Sequence, residues 1–154
     1  MLIAAVIPRR RGLFTRISFA RFRGDRAEFI PKGAVAARHA IAALRSGAHL
    51  TLLADQKMND GIPVPFFGRP AMTAPALADL ALRFDCDVLP ARVERLDGAR
   101  FRLTVSPPLP LPQSGEPHAD AAALMAGVNA TLEAWIRDRP EHGSGCTDAG
   151  RTSR

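Results

Sequence analysis

An apolar run ending at Ala54 stops abruptly at Asp55, and helical spacing does not resume until Thr73. Leu52–Thr73, the interval LLADQKMNDGIPVPFFGRPAMT, constrains the chain more than any other stretch. Asn59-Asp60-Gly61 is a turn signal, Phe66-Phe67 is an aromatic pair spaced by prolines, and Thr73 stands as a helix N-cap before Ala74-Pro75. These features predict one long loop between a strand and a helix, crowded with charged, amide and aromatic groups. Loops held by a rigid scaffold are where binding chemistry concentrates. In an open α/β sheet, ligands sit beyond the carboxyl ends of strands, which is where Asp55 falls.

The flanking sequence supplies such a scaffold. Leu2–Ile7 reads as a short buried strand. A helix follows over about Ala34–Ser46, with Ala37, Ile41, Leu44 and Ala48 as its inner stripe and Arg38 and His39 off it. His49–Ala54 is a continuous apolar strand of the kind buried on both faces. Thr73–Phe84 makes a second helix. Leu77, Leu80, Ala81 and Phe84 face inward, and Asp79 and Arg83 pair outside. Asp87–Arg95 is a strand in which Pro90 signals an edge or a bulge. Leu96-Asp97-Gly98-Ala99 turns the chain into a returning strand, Arg100–Val105, with Phe101, Leu103 and Val105 on one face. Pro-rich Ser106–Pro117 leads to a last helix, Asp120–Arg137, whose stripe is Leu124, Val128, Leu132 and Trp135. Strands alternating with helices give an α/β fold with at least one antiparallel hairpin.

At 154 residues the chain is one domain at most. Its net charge of +6 is carried by arginine, since only Lys32 and Lys57 are lysines. That balance suits a phosphate-bearing, acidic or membrane-surface partner without choosing among them. No run reaches the roughly 18 to 20 apolar residues that span a bilayer. The basic cluster Arg9-Arg10-Arg11 follows the apolar Met1–Ile7 rather than preceding it, contrary to a secretory signal. Phe14, Phe19 and Phe22 interleave with Arg16, Arg21 and Arg23. This stretch reads either as an amphipathic helix with solvated arginines or as a phosphate or nucleic-acid surface. Cys86 and Cys146 form neither a metal spacing nor a disulfide framework and read as free thiols in a reducing compartment.

Familiar catalytic templates are missing. There is no Gly-rich phosphate loop and no nucleophile elbow. His49, Asp55 and Asp60 match no zinc or calcium pattern, so neither a metal nor another cofactor is expected. Residues of the central interval offer binding groups instead. Asp55 and Gln56 could exchange hydrogen bonds with a polar ligand, Lys57 and Arg69 could neutralise a phosphate or carboxylate, and Phe66-Phe67 could line an acyl or aromatic pocket. The competing reading makes Asp55 a turn cap, the phenylalanines core and Lys57 solvated.

The run ADQKMNDGIPVPFFGRPAMTAPALADLALRF resembles the late acyltransferases of lipid A biosynthesis, of the lauroyl acyltransferase type. So do RFRGDRAEFIPKGA before it, VLPARVERLDGARFRLTVSPPLPLP after it and VNATLEAWIRDRPEH near the end. The resemblance spans nearly all of residues 20–142 and implies part of an acyltransferase-type sheet with flanking helices. It implies transfer of a fatty acyl group from acyl carrier protein to a hydroxyl of a lipid A precursor at the cytoplasmic face of the bacterial inner membrane. It makes Asp55, Gln56, Lys57, Phe67, Gly68, Arg69 and Thr73 the substrate-facing candidates. The family's catalytic His-x4-Asp/Glu motif is not found: the fifth residue after His39 is Leu44, after His49 Ala54, after His118 Ala123 and after His142 Thr147. No catalytic residue carries over. The chain corresponds to the family's C-terminal part without its N-terminal anchor, and on its own is expected to be inactive, cytoplasmic and prone to aggregation through uncovered apolar faces. Two other classes compete: a non-catalytic interaction module, and a basic nucleic-acid binder using Arg9–Arg26. The family resemblance makes a specific nucleic-acid partner the less expected.

After His142 the family continues into WLWLHRRW, whereas this chain reads Gly143–Gly150, GSGCTDAG. The codons TGG CTC TGG CTG CAC CGA CGC TGG, shorn of their first base, encode Gly-Ser-Gly-Cys-Thr-Asp-Ala-Gly. Residues 1–142 are thus expected to form the acyltransferase part, with Gly143–Arg154 a frameshift-derived, disordered tail.

Overall fold

The computed structural model describes residues 2–8, 30, 34–53 and 57–138. Strand β1 (Leu2–Pro8) is followed by helix α1 (Ala34–Arg45) and strand β2 (Leu50–Leu53). Strands β3 (Lys57–Phe66) and β4 (Arg69–Thr73) precede helix α2 (Ala76–Arg83). Strands β5 (Cys86–Arg95) and β6 (Phe101–Val105) lead to helix α3 (Pro117–Asp138). The fold is α/β, as expected, with one four-stranded sheet of order β2-β1-β5-β6 and a separate β3–β4 ribbon. Every strand pairing is antiparallel.

One face of the larger sheet holds the core. Val6 pairs in register with Leu50 and Val88, and Pro8 with Cys86, so their side chains share that face. Val6, Leu50, Cys86 and Val88 join Ala40 and Leu44 of α1, Leu77, Ala78 and Ala81 of α2, and Ala121, Leu124, Met125 and Val128 of α3 in one buried cluster. The stripe expected on α3 is present: Leu124 and Val128 are buried, and Leu132 and Trp135 pack against them. Pro117 occupies the first helical position, where a missing N–H costs nothing. Asp120, in the first turn, accepts the Ser114 hydroxyl at 2.6 Å and the Ser114 N–H at 3.0 Å, which hold its carboxyl below the ordinary aspartate range.

Several expectations fail for identifiable reasons. The central interval is not one long loop, because most of it forms the β3–β4 ribbon. Prolines at 63, 65 and 70 argue against strands, yet a two-residue turn places all three at non-hydrogen-bonded positions. Their nitrogens point outward, and no ladder bond is lost. The Asn59-Asp60-Gly61 signal marks an irregularity inside β3, where Thr73 is in register with both Lys57 and Ile62. Thr73 does not cap α2. The cap position is Pro75, without a side-chain hydrogen bond.

Strand β2 is an edge strand with alternating exposure and is not buried on both faces. Pro90 lies in an interior strand. Its carbonyl accepts Ser106 N–H just past the end of the β6 ladder at Val105, so its missing N–H falls where pairing has already stopped. On α1 the buried residues are Ala40 and Leu44, while Ala37 and Ala48 are exposed and Ile41 is half-buried. Alanine occurs on every side of that helix, so spacing alone could not orient it. The Asp79–Arg83 pair is not among the ion pairs of the described residues, and Arg83 sets its guanidinium 5.6 Å from the ring centre of Phe84. Cys86 is buried and its thiol donates to the Phe84 carbonyl at 3.6 Å, and Cys146 lies outside the described residues.

Gly61 is required by the irregularity in β3. A Cβ there would strike the Thr73 carbonyl oxygen and lie 2.8 Å from its carbon. Gly68, at φ +73°, has open space around it, so alanine there meets only backbone strain. Gly61→Ala is expected to cost about 2 kcal/mol or more, against about 1 kcal/mol for Gly68→Ala. Urea unfolding followed by the fluorescence of Trp135 measures both.

Candidate functional site

The ribbon ends in a tight turn, Phe66-Phe67-Gly68-Arg69. Its two central residues have φ of +49° and +73°, the positive pair that a type I′ turn requires. Glycine suits the second position, but a phenylalanine held at positive φ costs about 1 kcal/mol or more. The strain is held from outside the ribbon. Glu133 of α3 accepts the Phe67 N–H at 2.7 Å, and its other oxygen accepts Arg137 Nη2 at 2.7 Å. These bonds hold the Glu133 carboxyl below the ordinary glutamate range, with the Phe67 amide the largest cause and Arg137 adding to it. Arg137 also lies over the Phe67 ring, 4.9 Å from its centre, and the Phe66 and Phe67 rings meet edge to face at 4.8 Å.

One helical turn earlier, Asn129 is buried and makes a second attachment. Its Nδ2 donates to the Pro65 carbonyl at 3.1 Å and to Thr73 Oγ1 at 3.4 Å, while the Thr73 hydroxyl donates to the Ala71 carbonyl. Pro65 sits at an outward-facing position of the ladder, so its carbonyl is open to this bond. Asn129, Glu133 and Arg137 therefore form a stripe at i, i+4 and i+8 along α3 that fastens both ends of the ribbon.

Among the sequence candidates, Phe67 and Gly68 form the exposed turn, and Arg69 lies exposed beside it. Thr73 is buried at the far end of β4 against α3, and the backbone of Lys57 pairs with it. Asp55 and Gln56 lie outside the described residues. So does the Arg9–Arg26 stretch. His39, His49 and His118 are all exposed. Sequence reasoning missed Asn129, Glu133 and Arg137. The signal was available: three polar residues at helical spacing beside an apolar stripe.

At the other end of the core face, Arg92 of β5 pairs with the buried Glu94 at 3.6 Å and with Asp138 at 3.2 Å. Its guanidinium lies 5.6 Å from the centre of the Trp135 ring. The last turns of α3 are thus tied to the sheet on one side and to the ribbon on the other. What results is an apolar turn, held from α3, with the exposed guanidinium groups of Arg69 and Arg137 beside it.

These features define an α/β protein with an aromatic, cationic ribbon mounted on a helix. Residues 3–142 match the model of the bacterial lipid A biosynthesis acyltransferases, and the chain belongs to that family. No curated protein and no solved structure matches it.

Glu133→Gln keeps the shape of the side chain and removes its charge. Because folding lowers the carboxyl's pKa, its contribution to stability is fully present above the ordinary glutamate value. That contribution fades as acid carries the pH down through the lowered folded value. The variant should melt lower than the parent at neutral pH and lose that part of the acid dependence. Thermal unfolding across a pH series checks both.

Proposed function

We propose that the β3–β4 ribbon is the acceptor-facing wall of an acyl-transfer site. The reaction is transfer of a fatty acyl group from acyl carrier protein to a hydroxyl of a lipid A precursor, at the cytoplasmic face of the bacterial inner membrane. The carrying observation is the strained Phe67-Gly68 turn, held by Glu133 and Asn129 with apolar rings and Arg69 beside it. Backbone strain fixed from a neighbouring element is a mark of a site in which position matters.

The residues divide by role under this reading. Phe67 offers apolar surface to acyl chains, Gly68 lets the turn close, and Arg69 meets the precursor's anionic groups. Lys57 adds a cation on the same ribbon. Asp55 and Gln56 hydrogen-bond the acceptor's polar atoms. Thr73, buried against Asn129, positions the ribbon.

Proton removal from an acceptor hydroxyl requires a base with an orienting partner. No histidine of the sequence has a carboxylate at the family's spacing. The chain alone is accordingly proposed to bind without turning over. Among the described residues no helix is long and apolar enough to cross a membrane, so contact with the bilayer would be peripheral for this portion. Gly143–Arg154 lie beyond the residues matched to the family, in keeping with a shifted reading frame. Sequencing the locus tests that part: restoring one base should open WLWLHRRW.

Amide spectra of the labelled chain test the binding wall, recorded with a lipid A precursor in micelles against empty micelles. The precursor should shift Phe66–Arg69 and Arg137 selectively, and Arg69→Gln should weaken the effect about tenfold. Shifts confined to other elements would remove the assignment. With acyl carrier protein as donor, the isolated chain should give no acylated product, and turnover by it would overthrow the proposed inactivity.

A further inference from the structure

Arg137 stands in the last turn of α3, where a cation suits the helix dipole whichever way its side chain points. This side chain is turned onto the ribbon. Its guanidinium lies 4.9 Å from the centre of the Phe67 ring, and Nη2 donates to Glu133 at 2.7 Å. A ring on the ribbon and a carboxylate on the helix thus hold a side chain whose ordering otherwise costs much rotamer freedom. The bond to Glu133 uses one edge of the guanidinium. Its other N–H donors meet no acceptor among the described residues, and the side chain is 61% exposed.

Charge at this tip does not cancel. Glu133 is recessed, with its side chain 15% exposed, and one of its oxygens is taken by the Phe67 N–H. The next carboxylate along the helix, Asp138, is drawn to the sheet by Arg92 at 3.2 Å. Arg69 is in register with Phe66 at the mouth of the turn, is exposed, and joins no ion pair among the described residues. Arg69 and Arg137 therefore set two guanidinium groups beside the rings, against one recessed carboxylate.

A guanidinium with a free outward edge takes a phosphate group through paired hydrogen bonds. An aromatic ring beside it offers apolar surface to the rest of the same molecule. We infer that Arg137, acting with Arg69, is the residue that selects a phosphate-bearing amphiphile over a neutral one at the ribbon tip. The inference rests on the reading of the ribbon as the acceptor-facing wall and adds the group on α3 that reads the headgroup. Glu133 bonds both Arg137 and the Phe67 amide, so one carboxylate sets the cation and the ring together.

Nitrogen-15 spectra of the full chain test the inference with three probes: dodecyl maltoside micelles, the same micelles carrying dodecyl phosphate, and inorganic phosphate. Dodecyl phosphate should move the Arg137 Nε resonance, and dodecyl maltoside alone should not. Arg137→Gln should weaken dodecyl phosphate binding about tenfold, read at the amides of Phe66–Arg69. Arg137→Lys keeps the charge without the planar fork and should remain about threefold weaker than the parent. Arg45→Gln, which removes an exposed positive charge from α1, should change nothing. A largely exposed pair such as Arg137 with Glu133 adds little to stability, so the variants should fold, and a circular dichroism melt verifies this. Equal binding of dodecyl phosphate by the parent and Arg137→Gln would overturn the inference and leave the ribbon as the acceptor-facing wall. No shift on the ribbon with either dodecyl phosphate or the lipid A precursor would remove the wall and the inference together. Inorganic phosphate bound as tightly as dodecyl phosphate would make free phosphate the ligand and overturn the selection of an amphiphile.

Discussion

Glu133 holds the Phe67 amide in a backbone conformation that phenylalanine resists, and the placement of the ribbon tip depends on that bond. A two-stranded ribbon standing alone is marginal in water. This one gains its position from α3, through Asn129 at the Pro65 carbonyl and the Thr73 hydroxyl and through Glu133 at the turn. The helix is itself fixed by its buried stripe and by Arg92 against Trp135 and Asp138. Packing therefore sets the helix, the helix sets the ribbon, and the ribbon sets Phe67, Gly68 and Arg69.

The parts legible from sequence were those with one dominant local signal. The stripe of α3 showed a clear 3.6-residue period, and Asp97-Gly98 announced the β5–β6 hairpin, whose Gly98 takes φ +66°. The ribbon hid behind Pro63, Pro65 and Pro70. Whether a proline breaks a strand depends on which way its nitrogen points, and that follows from the turn register rather than from the residue itself. Pro90 obeys the same rule, since its nitrogen faces the place where the β6 ladder has ended. The edge position of β2 depends on which strands flank it, and the run Leu50–Leu53 does not carry that information.

The site was half legible. Phe67, Gly68 and Arg69 gather at one tip, but Thr73 faces inward to a partner fifty-six positions away. Long-range polar partners leave no local trace. Asn129 could be noticed as a polar residue beside an apolar stripe, yet nothing nearby in sequence names Pro65 and Thr73 as its acceptors. Membership of the lipid A biosynthesis acyltransferases gives this arrangement a chemical context, and the proposal that the tip faces the lipid acceptor rests on it.

The Glu133 carboxylate carries the turn by accepting the Phe67 amide. A pH titration of the Phe67 amide in nitrogen-15 spectra addresses it most directly. The amide proton should be strongly downfield, move with an inflection below the ordinary glutamate range and lose both features in Glu133→Gln. An amide at an ordinary shift, or one insensitive to acid until the whole chain unfolds, would show that the turn is held by something other than this bond.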